Sequence, residues 1–228
     1  MTKTNTIIKF GEDADGYAVP VLNEREIRAS AGIMFLGLFI ALSQVIFKND
    51  FFLVKYVVVV FFTDFLIRIF ISPRFSPTLI IGRLIVSKQV PEYVSASPKK
   101  FAWKIGLGLS SLMFLLLVIL NSYSMITVTT CYLCLTFLFF EAAFGICLGC
   151  VFYGLFFKEK PIHCSGESCQ VNEKHSIQKT SSVQILVVFG LIAFITVTIY
   201  LFNDYFLAPP KSLKDIINST SLAKTSNE

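Results

Sequence analysis

Charged residues are scarce in this chain. They make up 15% of its 228 residues, whereas hydrophobic residues make up 54%. Soluble domains carry about a quarter charged residues, so the composition excludes an ordinary water-soluble globular protein. The mean hydropathy is +0.69, and the apolar residues come in runs long enough to cross a hydrocarbon layer of roughly 30 Å as helices. We therefore predict an all-α, polytopic helical membrane protein whose first partner is the lipid bilayer.

Motifs that indicate well-known chemistry are also missing. We find no phosphate-binding loop, no metalloprotease helix, no Ser-His-Asp set and no nucleic-acid-binding pattern. The net charge of +5 is explained by basic residues beside membrane spans, which concentrate on the cytoplasmic side. A polar segment precedes the first apolar run, so no secretory signal peptide is predicted. We expect no cofactor and no nucleic-acid partner, and the sequence leaves open whether the protein is an enzyme.

The apolar runs predict about five transmembrane helices and one shorter segment. Residues 1–30 form a polar N-terminal segment, and residues 19–33 are predicted to form a short interfacial helix that leads into the first span. A membrane domain follows at residues 31–207, with spans near residues 31–47, 51–71, 104–120, 125–157 and 183–202. The apolar segment 78–88 is too short to span and suits a re-entrant or interfacial piece. Residues 208–228 are rich in Ser, Thr, Lys and Asn and are predicted to be a disordered tail.

The fourth apolar run, residues 125–157, has two interpretations. It forms either one long helix that projects past the membrane or two short segments hinged near Phe144 and Gly145. The distribution of Lys and Arg favours five spans over six, with a cytoplasmic N-terminus, because five spans place more of the basic residues inside.

The cysteines fall into three pairs: Cys131/Cys134, Cys147/Cys150 and Cys164/Cys169. The first two are Cys-x-x-Cys pairs within the fourth apolar run. On a helix, positions i and i+3 share a face and lie within disulfide reach, and they can also supply two ligands to one metal. The thiolate is the reactive form, so such chemistry requires a polar cavity, a base or a position at the membrane face. The alternative is that the cysteines are small hydrophobic packing residues.

Glu141 is a carboxylate placed between the two Cys-x-x-Cys pairs. An ionisable group inside a span is energetically costly and indicates function, so we assign it the role of proton acceptor for the cysteines. The alternative is a protonated acid that is hydrogen-bonded to a neighbouring helix. Cys131 and Cys150 are separated along a straight helix by roughly the hydrocarbon thickness, a geometry that would suit a relay of dithiols across the membrane.

The third pair, Cys164 and Cys169, lies in the polar loop 158–182. On the cytoplasmic side it would hold free thiols with a redox or sulfur-carrying role, or no chemistry at all. A zinc site completed by His163 and His175 is the less favoured alternative, because the spacing matches no recognised finger.

Two charged residues lie in the second predicted span. Asp64 and Arg68 are spaced i, i+4 and are expected to neutralise each other near the inner end of the span. The functional alternative is an anion site at Arg68 on a substrate path.

Small residues form two ridges that favour close helix packing. Gly145 and Gly149 make a Gly-x-x-x-Gly motif beside Cys147, and a second ridge consists of Ala102, Gly106 and Ser110.

Three segments together resemble a known family. These are "VPVLNEREIRASAGI", "VPEYVSASPKKFAWKIG" and "EAAFGICLGCVFYG", and they are similar to small bacterial inner-membrane proteins grouped as domain-of-unknown-function family 4395. The resemblance implies a multi-helix protein of the bacterial cell membrane and brings no established activity. The residues that match the family's pattern are Pro98, Lys99, Phe101, Ala102, Trp103, Gly106, Glu141, Gly145, Cys147, Gly149, Cys150 and Tyr153. Cys164, Cys169 and the tail lie outside that pattern.

These observations support three hypotheses. In the first, Cys147/Cys150 exchange electrons or sulfur with a soluble thiol or sulfur-carrier protein, with Cys131/Cys134 or Cys164/Cys169 as a second dithiol. In the second, Asp64, Arg68 and Glu141 line the path of a transporter for a small anion or sulfur compound. In the third, the protein is a non-catalytic assembly subunit in which all these features serve packing. A homo-oligomer is compatible with each of them.

Overall fold

The computed structural model describes residues 10–12, 19–157, 181–213 and 216–217, with the backbone alone at 154–157. The predicted loop pair Cys164/Cys169, both histidines and most of the tail lie outside these residues. The elements in chain order are β1 (Val21–Asn23), α1 (Glu24–Lys48), α2 (Phe52–Leu66), α3 (Pro77–Ile85), β2 (Tyr93–Ser95), α4 (Ala96–Met113), β3 (Ser122–Tyr123), α5 (Met125–Phe139), α6 (Leu148–Phe157), α7 (Ser182–Leu207) and β4 (Lys211–Ser212). Helices α2, α4 and α5 each continue into a π-helical turn, at Ile67–Ile71, Phe114–Ile119 and Phe140–Phe144 respectively.

Four helices of the described chain are long and apolar enough to cross a membrane. They are Glu24–Lys48, Ala96–Ile119, Met125–Phe144 and Ser182–Leu207. The predicted all-α, polytopic fold class is therefore confirmed. The second predicted span, near residues 51–71, corresponds to α2 and its π-turn, which contain the charged residues Lys55, Asp64 and Arg68. All three are buried.

Residues 19–33 do not form a separate interfacial helix, so that prediction was wrong. The chain instead forms strand β1, which pairs antiparallel with β2, and then enters α1 directly. The side chain of Asn23 caps the new helix by accepting a hydrogen bond from the Arg25 N–H at 3.2 Å, an arrangement typical of an N-cap residue. Nothing interrupts α1 between this cap and Lys48, so the polar start and the apolar span form one helix.

Helix α3 is the short segment that the sequence predicted to be re-entrant or interfacial. It has nine residues, too few to cross a bilayer, and it packs against the first turns of α1. The helices approach most closely at Gly82, where an added Cβ would lie 2.6 Å from the Glu26 carbonyl oxygen. This close packing places Ser76 and Thr78 beside α1 and α2.

The fourth apolar run divides into two segments at Gly145. This residue adopts a left-handed conformation, with φ of 69°, which glycine adopts without steric cost. The N–H groups of Gly145 and Ile146 bond to the carbonyls of Glu141 and Phe140, both at 3.1 Å. Helix α6 then begins at Leu148. Of the two sequence interpretations, the structure has the hinged one.

Helix α6 packs tightly against α4 across one pair of small residues. An added Cβ on Gly149 would lie 2.6 Å from the Cβ of Ala102. The two predicted small-residue ridges therefore meet at this pair, while Gly145 serves the hinge. We call the end of the bundle at which α1, α4 and α6 begin the N-terminal face.

Helix α7 lies on the outside of the bundle. Its most apolar stretch of 18 residues contains no buried residue. The buried Lys55 of α2 fastens its far end, because Nζ donates to the carbonyls of Phe206 at 3.1 Å and Ala208 at 2.8 Å. A cation at a helix C-terminus interacts favourably with the helix dipole.

Candidate functional site

The N-terminal face contains an open cleft of about 500 Å³. Its walls come from the start of α1, the start of α4 and the hinge before α6. Charged side chains of Glu24, Arg28 and Lys99 line one part of the cleft, and Cys147 and Cys150 line another. We refer to Cys147/Cys150 as the hinge pair and to Cys131/Cys134 as the helix pair.

The hinge pair forms a disulfide whose Cα atoms are 5.1 Å apart. Cys147 directly precedes α6, and its carbonyl accepts the N–H groups of Cys150 at 2.9 Å and Val151 at 3.1 Å. Its sulfur also accepts the Cys150 N–H at 3.2 Å. The first cysteine therefore lies at the N-terminus of a helix, where backbone N–H groups and the helix dipole favour negative charge. Cys147 is 7% exposed, whereas Cys150 is half-buried and more accessible.

Lys99 of α4 connects two carboxylates beside the cleft. Its Nζ lies 2.8 Å from Glu24 of α1 and 2.7 Å from Glu141 at the end of α5. Glu141 had been interpreted as a direct proton acceptor for the cysteines, but its observed partner is this lysine. The alternative, a protonated acid hydrogen-bonded to a neighbouring helix, correctly places Glu141 in contact with another helix. The partner on that helix is a cation, however, and the contact is an ion pair.

Arg28 of α1 holds the hinge from the other side. It donates to the Ala143 carbonyl at 3.3 Å, and its guanidinium lies 3.3 Å from the position of an added Cβ on Gly145. The carbonyls at the end of the π-turn lack partners within their own helix, so a cation here satisfies one of them. Arg28 and Lys99 together fix the backbone that leads into Cys147.

The helix pair lies in a different part of the molecule. Both cysteines are free thiols, and Cys131 is only 4% exposed. They line a cavity of about 80 Å³ between α1, α2, α4 and α5, together with Arg68 and Trp103. The hinge pair does not line this cavity, although Gly149 between its two cysteines does. The two pairs therefore open onto different spaces.

Asp64 and Arg68 form the centre of a buried polar network. Arg68 Nε donates to Asp64 Oδ2 at 2.6 Å, as their spacing predicted. Asp64 Oδ1 also accepts the Ser76 hydroxyl at 2.7 Å and the Thr78 N–H at 3.1 Å. Arg68 donates further to the Ser30 hydroxyl at 2.6 Å, and its guanidinium lies over the Trp103 ring at 5.0 Å. Asp64 and Arg68 therefore have hydrogen-bond partners on α1, on α3 and at the residue just before α3.

A second cluster of charges surrounds Arg83 of α3. Its Nε lies 3.1 Å from Glu26, and its guanidinium lies 4.0 Å from Glu12. Burial raises the pKa of Glu12, while the nearby Arg83 acts in the opposite direction. This cluster joins α3 to α1 and borders the N-terminal face.

Several residues of the site were missed by sequence reasoning. The local sequence assigns no role to Lys99, and Glu24 and Arg28 lie in the predicted polar N-terminal segment, outside the predicted membrane domain. One observation pointed to Lys99, because it belongs to the matched pattern of the resembled family. Nothing in the local sequence marks Ser30, Ser76 or Thr78 as partners of Asp64 and Arg68.

A family model described as "Domain of unknown function (DUF4395)" matches residues 22–158. The chain belongs to this family. The matched region includes the whole cleft, the hinge pair and the helix pair, and ends before Cys164 and Cys169. Neither a curated protein nor a solved structure matches the chain. Among the described residues, no group of three or more His, Cys, Asp or Glu side chains could hold a metal ion.

Proposed function

We propose that this DUF4395 protein is a multi-pass protein of the bacterial inner membrane that carries out thiol–disulfide exchange through the hinge pair. The N-terminus, and with it the cleft, faces the cytoplasm. One observation carries the proposal: the hinge pair is a disulfide at a helix N-terminus, and one of its sulfurs is accessible from an open, charged cleft. The helix pair has the same spacing, but its cysteines are free thiols within a helix and do not lie at a helix N-terminus.

The exchange begins at the more accessible sulfur. A thiolate of a soluble dithiol partner attacks Cys150 Sγ, a partner–Cys150 disulfide forms, and the Cys147–Cys150 bond breaks. The electron pair stays on Cys147 as a thiolate. The partner's second thiolate then attacks its own sulfur in the mixed disulfide and releases Cys150. The partner leaves as a disulfide, the hinge pair becomes a dithiol, and the reverse sequence oxidises it with a partner disulfide.

Cys147 is well placed as the leaving thiol. Exchange is faster when the leaving sulfur is stable as a thiolate, and Cys147 already accepts a backbone N–H bond at the start of α6. Arg28 and Lys99 line the same cleft, but so do Glu24 and Glu92, so the start of α6 and not the net charge of the cleft supports this role. Glu141 acts through Lys99, which it holds at 2.7 Å, so it is a positioning residue.

The other hypotheses have less support. An anion at Arg68 would have to compete with Asp64, Ser30 and Thr78, to which Nε and Nη2 of Arg68 already donate. The relay hypothesis would need the helix pair to exchange with the hinge pair, and the two open onto different spaces. A role for Cys164/Cys169 as a second dithiol stays a proposal, because both residues lie outside the part of the chain that the structure describes.

The test is a redox titration of the purified protein in detergent, using buffers of reduced and oxidised dithiothreitol followed by acid quenching and alkylation. We expect Cys147 and Cys150 to interconvert together, while Cys131 and Cys134 remain thiols throughout. With glutathione disulfide as the probe, Cys147→Ser should accumulate a glutathione adduct on Cys150, and Cys150→Ser should accumulate far less on the buried Cys147. A hinge pair that stays in one state across all buffers would contradict the proposal and favour the assembly-subunit hypothesis.

A further inference from the structure

The cavity between α1, α2, α4 and α5 is lined by four sulfur-containing side chains. Two are the thiols of Cys131 and Cys134 on α5, and two are the thioethers of Met34 on α1 and Met113 on α4. At about 80 Å³ it is smaller than the roughly 150 Å³ cavity that holds a benzene ring, although it has room for an ion or a few waters.

Two of these sulfurs already have the spacing of ligands that share one metal ion. Cys131 Sγ lies 3.9 Å from Met113 Sδ. With metal–sulfur bonds of about 2.3 Å, as in zinc–thiolate sites, two ligands in trigonal or tetrahedral geometry are separated by about 3.8 to 4.0 Å. Cys134 follows Cys131 by one helical turn on the same face of α5, so its thiol is available as a third ligand.

We infer that Cys131, Met113 and Cys134 form a binding site for a soft monovalent metal ion of the Cu(I) class. Thiolate and thioether ligands select Cu(I), whereas Mg²⁺ and Ca²⁺ require oxygen ligands that these three residues do not supply. Binding deprotonates Cys131, and one thiolate balances the single positive charge of the ion. Deprotonation of Cys134 as well would balance a divalent ion, so the thioether of Met113, and not charge, is what favours Cu(I).

The remaining polar groups of the cavity do not oppose a cation. Arg68 lines the wall, but its charge is balanced by Asp64 at 2.6 Å. Met34 has its sulfur engaged elsewhere, 3.6 Å from Arg68 Nη2 and 3.9 Å from the Thr78 hydroxyl. The cavity lining extends from Cys131 to Glu141 and Gly149, toward the N-terminal face.

The experiment uses the full chain with Cys147, Cys150, Cys164 and Cys169 all changed to Ser, so that only the helix pair retains thiols. The probes are Ag(I), which is not redox-active here, and Cu(I) in competition with a chromophoric chelator, both in detergent. We expect one Ag(I) per chain and an X-ray absorption spectrum of bound Cu(I) with sulfur ligands alone. In this background, Cys131→Ser should abolish binding and Met113→Leu should weaken it by about tenfold or more, since even outer-shell changes cost that much.

Met34→Leu is the matched control, because it removes the other thioether of the same cavity and should leave affinity unchanged. No Ag(I) binding by the background variant would overturn the inference, and so would binding that is unaffected by Met113→Leu. The absorption spectrum is recorded on the background variant itself, so it tests the metal site even where a further substitution prevents folding. Oxygen or nitrogen ligands in it would also overturn the site.

Discussion

The helix pair and the hinge pair have identical spacing and lie in the same apolar run, yet their sulfurs are in different states. Cys131 and Cys134 lie within α5 as free thiols beside a small cavity between the helices. Cys147 and Cys150 form a disulfide beside an open cleft. The difference between them is position relative to a helix end. Both members of the helix pair are helical, whereas Cys147 precedes the first residue of α6.

Helix geometry explains why this position matters. Within a helix every Cα–Cβ bond tilts toward the N-terminus, so side chains at i and i+3 point in the same direction. A cysteine that precedes the helix is free of that constraint, and its sulfur can turn toward the first turn. Cys147 does so and accepts the Cys150 N–H. A Cys-x-x-Cys motif therefore indicates exchange chemistry most strongly where a hinge or helix start is expected beside it.

The largest effect is expected from removing Lys99, whose ion pairs with Glu24 and Glu141 connect the elements around the hinge pair. Lys99→Met should destabilise the protein by about 3 to 5 kcal/mol, because Lys99 is buried and its loss would leave the partly buried carboxylates of Glu24 and Glu141 without their cation. Equilibrium unfolding in mixed micelles measures this. Lys104→Met removes an exposed lysine of the same helix and should change stability by less than about 0.5 kcal/mol. Equal effects of the two substitutions would show that Lys99 stabilises the fold no more than an exposed lysine does, and would contradict its assignment to the site.

A smaller effect is expected from separating α6 from α4. Gly149→Ala places a methyl group against Ala102, and overpacking of this kind costs about 1 to 3 kcal/mol. The double variant Gly149→Ala/Ala102→Gly should recover most of the loss, as measured by the same unfolding assay. Gly108→Ala is the control, since an added Cβ there meets nothing within 4 Å. No recovery in the double variant would show that this contact does not hold α6.

The hinge itself is tested at Gly145. Gly145→Ala forces an L-residue into the left-handed region, which costs about 1 to 2 kcal/mol, and its Cβ would press on Arg28. We expect a lower fraction of the Cys147–Cys150 disulfide at a fixed dithiothreitol potential, measured by alkylation. Gly37→Ala, in open space within α1, should leave that fraction unchanged. An unchanged fraction in Gly145→Ala would mean that the hinge conformation does not control the disulfide.

The smallest effect is expected at the helix pair. Cys134→Ala removes one half-buried sulfur and should cost about 0.8 kcal/mol, the value of a single buried methylene. The redox titration of the hinge pair should be the same as in the unmodified protein. A shifted titration would indicate that the two pairs exchange electrons, and the relay hypothesis would then replace the separation argued here.

The helices were predictable, and most of their charge pairing was not. Long apolar runs indicated each spanning helix, and Gly145 marked the hinge. The Asp64–Arg68 pair followed from its spacing within one helix. Lys99, in contrast, meets Glu24 and Glu141 across 75 and 42 residues of chain, and no local pattern connects residues so far apart. The interfacial helix at residues 19–33 was wrong because strand pairing between β1 and β2 is also a long-range contact.

The amino acids alone decide that this chain is built of apolar helices, because lipid leaves backbone N–H and carbonyl groups no partner outside their own helix. They also decide the Cys-x-x-Cys spacing and the glycine at which the fourth run bends. Packing of the helices decides which pair becomes a disulfide, which carboxylates Lys99 binds, and which sulfurs face a common cavity. Those outcomes depend on the directions of side chains from separate helices, and only the assembled bundle brings them together.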